Sequence, residues 1–276
     1  MKLGLALAGG GIRGIAHAGV LKALEDNNIK VDAIGGTSSG ALIASLYSIG
    51  YSPYYIYILF KKYAEDIIFF NAKNIVLSLK NNICGLDTGE NIEKVYNNLA
   101  FKKGIKTMQD IKMPIVIPAV DISESKEYVF TNLIENKKRK SNKYISDISV
   151  GKAVRASSSF PAVFCPCEYK SHIFLDGGAL DNIPVLEVKK QGVDKVIAVN
   201  FKADDIDDNS NIMDITMRTI DIMGNKISER GLKKADFILT IKTDKTGLLD
   251  MEKIDSCYKY GYDTTIKNIK KIKELL

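Results

Sequence analysis

Residues 3–8, Leu-Gly-Leu-Ala-Leu-Ala, form a short apolar run that ends directly in three consecutive glycines. A run of this length without polar alternation is typical of a strand buried on both faces of a parallel sheet. The glycine-rich segment 9–14 then allows a tight turn into residues 15–27, where apolar residues recur with helical spacing. A buried strand, a glycine turn and a helix together indicate the start of an α/β fold.

The rest of the chain repeats this alternation of strand and helix. No repeat or linker is long enough to separate two domains, so we expect a single domain over 1–276 with a mostly parallel central sheet and helices on both faces. Its motifs lie within 2–200, and 201–276 is expected to contribute packing only. Strands are predicted over 31–35, 115–121, 128–131, 173–175, 195–200 and 237–241, and helices over 41–49, 53–64, 149–158, 214–234 and 258–276.

Composition excludes several classes of protein. The 276 residues carry a net charge of +6, and 46% are hydrophobic, which suits a folded domain that needs no disulfide or structural metal. The basic run Lys137–Lys140 has no interleaved aromatic residues, so we expect a solvated loop and no nucleic-acid partner. The four cysteines lack zinc-site spacing and are expected to be reduced. Without a signal peptide or an apolar run of ~18 residues, the expectation is a cytoplasmic protein.

A serine motif follows the second predicted strand. Residues 36–40, Gly-Thr-Ser-Ser-Gly, match the pattern G-x-S-x-G, which places the central serine on a sharp turn between a strand and a helix. Gly36 and Gly40 leave room for this turn, and the helix N-terminus beside it favours developing negative charge. Ser38 is therefore the candidate nucleophile. A Gly/Ser helix cap is the alternative interpretation.

Two interpretations of the glycine loop compete. The backbone N–H groups of Gly9, Gly10 and Gly11 can form an oxyanion hole for a tetrahedral intermediate. Gly9, Gly11 and Gly14 also fit the dinucleotide fingerprint G-x-G-x-x-G, with Asp32 at about the spacing of the ribose-binding acid. The oxyanion hole is favoured because it explains the loop and the serine turn together.

Arg13 argues against the dinucleotide interpretation of the glycine loop. It places a bulky cation inside the loop, where a nucleotide cofactor needs open space. Its side chain can either steady the loop or contact a phosphate head group. The sequence does not choose between these roles.

The general base is expected to be a carboxylate. Serine hydrolases usually employ histidine, but His17 lies within the first predicted helix, where packing or capping is expected. His172 precedes the 173–175 strand, and because side chains alternate along a strand we do not expect it to reach the end at which Asp176 lies. A catalytic histidine stays open as the alternative. Asp176 is followed by Gly177 and Gly178 and stands where a strand ends, so its carboxylate can meet Ser38 across the crevice. An aspartate in an ordinary turn is the alternative.

Taken together and in this order, these segments resemble the patatin-like phospholipase family. That family carries a G-G-G-x-R/K loop, a G-x-S-x-G elbow, an A-S-x-x-x-P segment and a D-G-G or D-G-A acid turn followed by N-x-P. The resemblance runs from Lys2 to about Asn200. The matching segments here are 9–14, 36–41, 156–161, 176–178 and 182–184.

The resemblance implies a Ser38–Asp176 dyad without histidine, acting through an acyl-enzyme on fatty-acyl esters as a phospholipase A or lysophospholipase does. It implies neither metal nor cofactor. Ala8 departs from the acid that plant members often carry before the glycines, and a backbone oxyanion hole does not depend on that side chain. The residues implied are the oxyanion donors Gly9, Gly10 and Gly11 and the supporting residues Arg13, Gly14, Gly36, Gly40, Gly177 and Gly178.

Two segments after the elbow are candidates for lipid contact. Tyr51–Phe60 and Ile67–Phe70 concentrate aromatic and aliphatic residues, which suits either a buried helix face or an acyl-chain wall and peripheral membrane contact. A lipid or phospholipid substrate is the expected partner. Two other functions remain open: a nucleotide-binding oxidoreductase, and a non-catalytic lipid-binding protein of the same fold.

Overall fold

Nine strands form one mixed sheet in the part of the chain that the computed structural model describes, residues 1–68, 85, 87–133, 143–161, 163–202, 212–244, 246 and 250–276. The strands are β1 (Leu3–Leu7), β2 (Ala33–Gly36), β3 (Ile115–Asp121), β4 (Lys126–Thr131), β5 (Tyr144–Ile145), β6 (Cys167–Tyr169), β7 (His172–Asp176), β8 (Lys195–Phe201) and β9 (Phe237–Ile241). The helices are α1 (Ala16–Asp26), α2 (Ser39–Ser48), α3 (Pro53–Ile68), α4 (Glu90–Phe101), α5 (Val150–Ser157), α6 (Val185–Lys189), α7 (Ile212–Leu232) and α8 (Ile254–Leu275). Short 3₁₀ turns span Gly11–Ile15, Met108–Asp110, Gly177–Ala179 and Met251–Lys253.

The centre of the sheet is parallel, as predicted. Its order is β5-β4-β3-β2-β1-β8-β9, and β1 pairs in parallel with β2 and β8. β2 pairs in parallel with β3, and β8 with β9. The strands β1 and β2 are buried throughout, which explains why their sequences show no polar alternation.

Helices cover both faces of this sheet. Successive residues of a strand point to opposite faces, and Gly35 and Gly36 of β2 show what lies on each. A β-carbon at Gly35 would lie 2.6 Å from Val188 of α6, whereas one at Gly36 would lie 2.3 Å from the backbone of Gly40 in α2. The two helices therefore pack on opposite faces, and the predicted architecture is confirmed.

One edge of β3 is shared between two strands, which the sequence does not indicate. The first residues of β3 pair in parallel with β2, up to Gly35 opposite Val116. The last residues pair antiparallel with β7, beginning with Asp176 opposite Ala119. Because β2 and β7 run in opposite directions along the same edge, their carboxyl ends meet head to head.

The remaining differences from the predictions are local. α4, β5, β6 and α6 were not predicted, and the helix predicted over 258–276 begins earlier, at Ile254. Cys165 is disulfide-bonded, so the expectation of reduced cysteines is wrong for this residue, while Cys167 and Cys257 carry reduced thiols. None of the described helices is long and apolar enough to cross a membrane.

Candidate active site

Ser38 lies on a strained turn at the carboxyl end of β2. Its φ of 53° and ψ of −121° fall outside the regions that a side chain ordinarily allows. The turn is held by the Ser38 N–H, which donates to Ser157 Oγ at 3.1 Å, and by the contact of Gly36 with Gly40. Ser38 itself is half-buried. This is the geometry that the G-x-S-x-G pattern predicts.

Asp176 ends β7 and lies beside this turn. It is 4% exposed, and its Oδ1 accepts the N–H of Gly178 at 2.8 Å. Its Oδ2 is buried and accepts no hydrogen bond from the residues that the structure describes. A β-carbon at Gly177 would lie 2.4 Å from the carbonyl oxygen of Pro118 and 3.0 Å from Thr37 Cγ2, so the acid turn packs directly against the elbow.

Burial raises the pKa of Asp176 to about 6. The Ser38 hydroxyl and the Gly178 N–H act in the opposite direction, because both stabilise the ionised carboxylate. An acid with such a pKa is largely ionised at neutral pH and still basic enough to accept a proton. Ser38 and Asp176 are therefore brought together in a form suited to nucleophile and base.

The glycine loop lies against Ser38, and a β-carbon at Gly9 would be 3.1 Å from Ser38 Cβ. The Gly9 N–H already donates to the carbonyl oxygen and to Oδ1 of Asn182, each at 3.2 Å, so the expectation that Gly9 is a free oxyanion donor is not met. Among the described residues, the N–H groups of Gly10, Gly11 and Ser39 have no acceptor. These three N–H groups are therefore available to donate hydrogen bonds to an oxyanion.

Two buried side chains fix the loop. Arg13 Nε donates to the Gly10 carbonyl oxygen at 3.2 Å, a contact that favours the interpretation in which Arg13 steadies the loop. Because the peptide is trans, a Gly10 carbonyl directed at Arg13 turns the Gly11 N–H the opposite way. His17 Nε2 donates to the carbonyl oxygen of Ala8 at 2.8 Å, and burial lowers its pKa to about 4, so His17 is neutral.

The segment after the acid turn links the parts of the site, a role that the sequence did not reveal. Asn182 holds the Gly9 N–H, and the carbonyl oxygen of Asp181 accepts a hydrogen bond from Thr37 Oγ1 at 2.8 Å. The nucleophile turn and the glycine loop are thus both tied to residues that follow Asp176. The N-x-P pattern was the available signal, although it does not say which atoms Asn182 contacts.

The other candidate residues lie elsewhere. His172 is at the start of β7, the opposite end from Asp176, and its Nδ1 donates to Asp121 Oδ2 at 2.7 Å. With Glu124 these two residues form the one group among the described residues close enough to hold a metal ion. Asp32 precedes β2 and accepts the N–H of Leu3, at the amino end of β1. It lies a strand's length from the glycine loop, which argues against the dinucleotide interpretation.

The aromatic segment after the elbow is only partly exposed. Ile56, Leu59 and Phe60 of α3 are buried in the core, as the alternative of a buried helix face predicts, while Tyr54 and Tyr55 are exposed. These two tyrosines follow the end of α2 that is distal to Ser38. Residues 69–70 lie outside the described part of the chain.

Comparison with known proteins agrees with this geometry. The chain is 29% identical over 94% of its length to the lysophospholipase NTE1 of Candida albicans, and 32% identical over 74% of its length to that of Scheffersomyces stipitis. It spans only 19% and 12% of the length of these relatives. VipD of Legionella pneumophila has a similar fold, with a TM-score of 0.50 and 15% identity over 96% of this chain and 66% of its own.

A family model described as patatin-like phospholipase matches residues 5–189. The match includes the glycine loop, the serine elbow, the acid turn and Asn182. The chain belongs to the patatin-like phospholipase family.

Proposed function

We propose that this chain hydrolyses fatty-acyl esters of lipids, as a phospholipase A or a lysophospholipase, with Ser38 as nucleophile and Asp176 as base. One observation carries the proposal: a buried carboxylate with a pKa of about 6 lies beside a serine on a strained turn. A serine hydroxyl is a weak nucleophile until a neighbouring base accepts its proton. We propose Asp176 as that base, because its carboxylate is buried beside Ser38 and has a raised pKa.

The reaction follows in two steps. Ser38 Oγ attacks the ester carbonyl as its proton passes to Asp176, and the tetrahedral intermediate then expels the lipid alcohol, which takes the proton from Asp176. The product is an acyl-enzyme on Ser38. Water attacks this ester, again giving its proton to Asp176, and the proton returns to Ser38 as the fatty acid leaves.

The oxyanion of both intermediates needs fixed donors. The unpartnered N–H groups of Gly10, Gly11 and Ser39 are suited to this role, since they lie at the loop and at the helix start that flank Ser38. Loss of one such donor typically costs about 10²–10³ in rate. Arg13 and Asn182 serve by holding the loop that presents these groups.

The substrate class rests on the family and on the lysophospholipases to which the chain is similar. Because a lipid substrate resides in a membrane or micelle, we further propose that the protein works in contact with a lipid surface.

A fluorophosphonate probe tests the nucleophile directly, since it forms a stable covalent bond with an activated serine. We expect the intact mass of the protein to rise by one probe adduct, and peptide mapping to place the adduct on Ser38. Ser38→Ala should abolish labelling. The matched control is Ser39→Ala, which removes the adjacent buried hydroxyl and should label normally. Labelling that persists in Ser38→Ala would refute the assignment.

A further inference from the structure

The helix α7 lies over the acid turn. Its glycine Gly224 approaches so closely that a β-carbon there would lie 3.2 Å from the carbonyl oxygen of Gly178 and 3.5 Å from Asn182 Cβ. About two turns further along, a β-carbon at Gly231 would lie 3.7 Å from the carbonyl oxygen of Ile183. The buried side of α7 therefore packs against the segment that positions Asp176 and the glycine loop.

Among the α7 side chains that the structure describes, four apolar ones are exposed. Ile215 is 48% exposed, Ile222 54%, Met223 57% and Ile227 40%. At 100° per residue, Ile215 and Ile222 point almost directly away from Gly224, and Met223 lies on their flank. Single exposed apolar residues are common, but a row of them on one helix indicates a contact surface. We call Ile215, Ile222 and Met223 the outer face of α7; Ile227 lies only about 60° from Gly224 and borders the packed side.

Basic side chains border this face. Arg230, Lys233 and Lys234 are exposed at the end of α7 and just beyond it. Lys226 is exposed within the face and pairs with Glu229 at 2.9 Å, so Arg230, Lys233 and Lys234 form a separate cluster of positive charge at this end of the helix. An amphipathic helix with an apolar stripe and neighbouring Lys and Arg is suited to the interface of an anionic membrane.

We propose that the outer face of α7 docks on an anionic phospholipid bilayer and so holds the Ser38–Asp176 site at the lipid surface. The inference rests on the proposed function, because a lipid hydrolase needs its docking surface beside its site. The exposed tyrosines of α3, Tyr54 and Tyr55, do not meet this condition. They follow the far end of α2, a ten-residue helix that carries the chain about 15 Å away from Ser38.

The test compares a double variant of the outer face, Ile222→Ser/Met223→Ser, with the matched control Tyr54→Ser/Tyr55→Ser. Binding is measured by flotation with phosphatidylcholine vesicles that contain phosphatidylserine, and activity on vesicle phospholipid and on a soluble short-chain p-nitrophenyl ester. We expect the outer-face variant to lose about tenfold or more in vesicle affinity and vesicle hydrolysis, since two large apolar side chains no longer enter the interface. Hydrolysis of the soluble ester should not change, and the control should behave as the parent protein does.

A second pair of measurements isolates the charge. Arg230→Glu/Lys233→Glu should lower the affinity for phosphatidylserine-containing vesicles by more than about tenfold and leave binding to pure phosphatidylcholine nearly unchanged. Unchanged vesicle binding in both Ile222→Ser/Met223→Ser and Arg230→Glu/Lys233→Glu would overturn the proposal. So would a loss confined to the tyrosine control, or a dimer of the parent protein, seen by sedimentation, that Ile222→Ser/Met223→Ser dissociates. Failure of the parent protein to hydrolyse the soluble ester would refute the proposed function instead, because vesicle flotation does not depend on turnover.

Discussion

The two ends of β7 each place a buried aspartate beside a possible partner, and the two arrangements differ in chemistry. At the carboxyl end, Asp176 lies beside Ser38, and one of its oxygens accepts no hydrogen bond from the described residues. At the amino end, Asp121 of β3 accepts hydrogen bonds from the Nδ1 of His172 and from the N–H groups of Ser123 and Glu124. An aspartate–histidine pair is the arrangement that serine hydrolases usually employ.

The pKa values separate the two acids. Burial raises the pKa of Asp176 to about 6 because few donors compensate for the loss of water. Burial acts on Asp121 in the same direction, but the hydrogen bonds from His172 and the backbone outweigh it, and the pKa falls below its usual value. A carboxylate that is fully satisfied has little tendency to accept a proton. The comparison supports the proposal that the unsatisfied acid, Asp176, rather than the acid paired with a histidine, is the base.

Exchange of each acid for its amide should produce the largest contrast. Asp176→Asn keeps the shape but removes the proton acceptor, and we expect kcat on a soluble ester to fall about 10⁴-fold, as when a catalytic aspartate is lost elsewhere. Asp121→Asn should stay within about threefold of the parent rate. A comparable loss in both variants would return the Asp121–His172 pair to consideration as catalytic.

The same two variants should change stability in opposite directions. The pKa of Asp176 is higher in the folded state than the reference value of 3.8, so stability declines as pH rises from about 4 to about 6, while the folded protein gives up its proton. At pH 7 the ionised acid costs on the order of 3 kcal/mol, at ~1.4 kcal/mol per pKa unit. Urea unfolding at pH 7 should therefore find Asp176→Asn more stable than the parent protein.

For Asp121→Asn, a loss of about 1 kcal/mol is expected, because a charge-assisted bond to His172 is weakened. Its lowered pKa means that this contribution is present above the unfolded pKa of an aspartate and is lost as pH falls below it. If both substitutions, or neither, stabilised the protein, the predicted difference between Asp176 and Asp121 would be wrong.

The pH dependence of kcat provides a third test. Asp176 must be ionised to accept the Ser38 proton, so the rate should fall on the acid side with a midpoint near pH 6, by about tenfold at pH 5. Asp181 lies on the same segment, and burial near Glu127 and Glu187 raises its pKa to about 7. Asp181→Asn is therefore the control, and a midpoint that moves in this variant would assign the transition to Asp181.

The smallest effect is expected at His172. Its ring stacks on Phe174 and contacts Tyr128 at the far end of β7, so His172→Ala should alter kcat less than about twofold while lowering the melting temperature slightly. Thermal unfolding and ester hydrolysis measured on one preparation separate these outcomes. A loss of activity with an unchanged melting temperature would contradict the structural role.

The parts of the site encoded by local chemistry were predictable from the sequence. The turn at Ser38 and the glycine loop depend on residues that are neighbours in the chain, and their conformations follow from glycine spacing between a strand and a helix. The direction of β7 was not predictable, because it is set by pairing with β3, more than fifty residues earlier. For the same reason, the sequence assigned Gly9 as a donor and missed that Asn182 occupies its N–H.

The shared edge of β3 has a consequence for how this site tolerates change. β3 contributes neither the hydroxyl nor the carboxylate, but it sets the distance between them. Its pairing with β2 ends at Val116, and its pairing with β7 begins at Ala119. A single inserted or deleted residue there would displace the acid by about 3.3 Å, which is as much as the whole donor–acceptor distance of about 2.6–3.2 Å that a proton transfer requires. β3 thus works as a spacer, and under the proposed mechanism turnover depends on its length between these two positions.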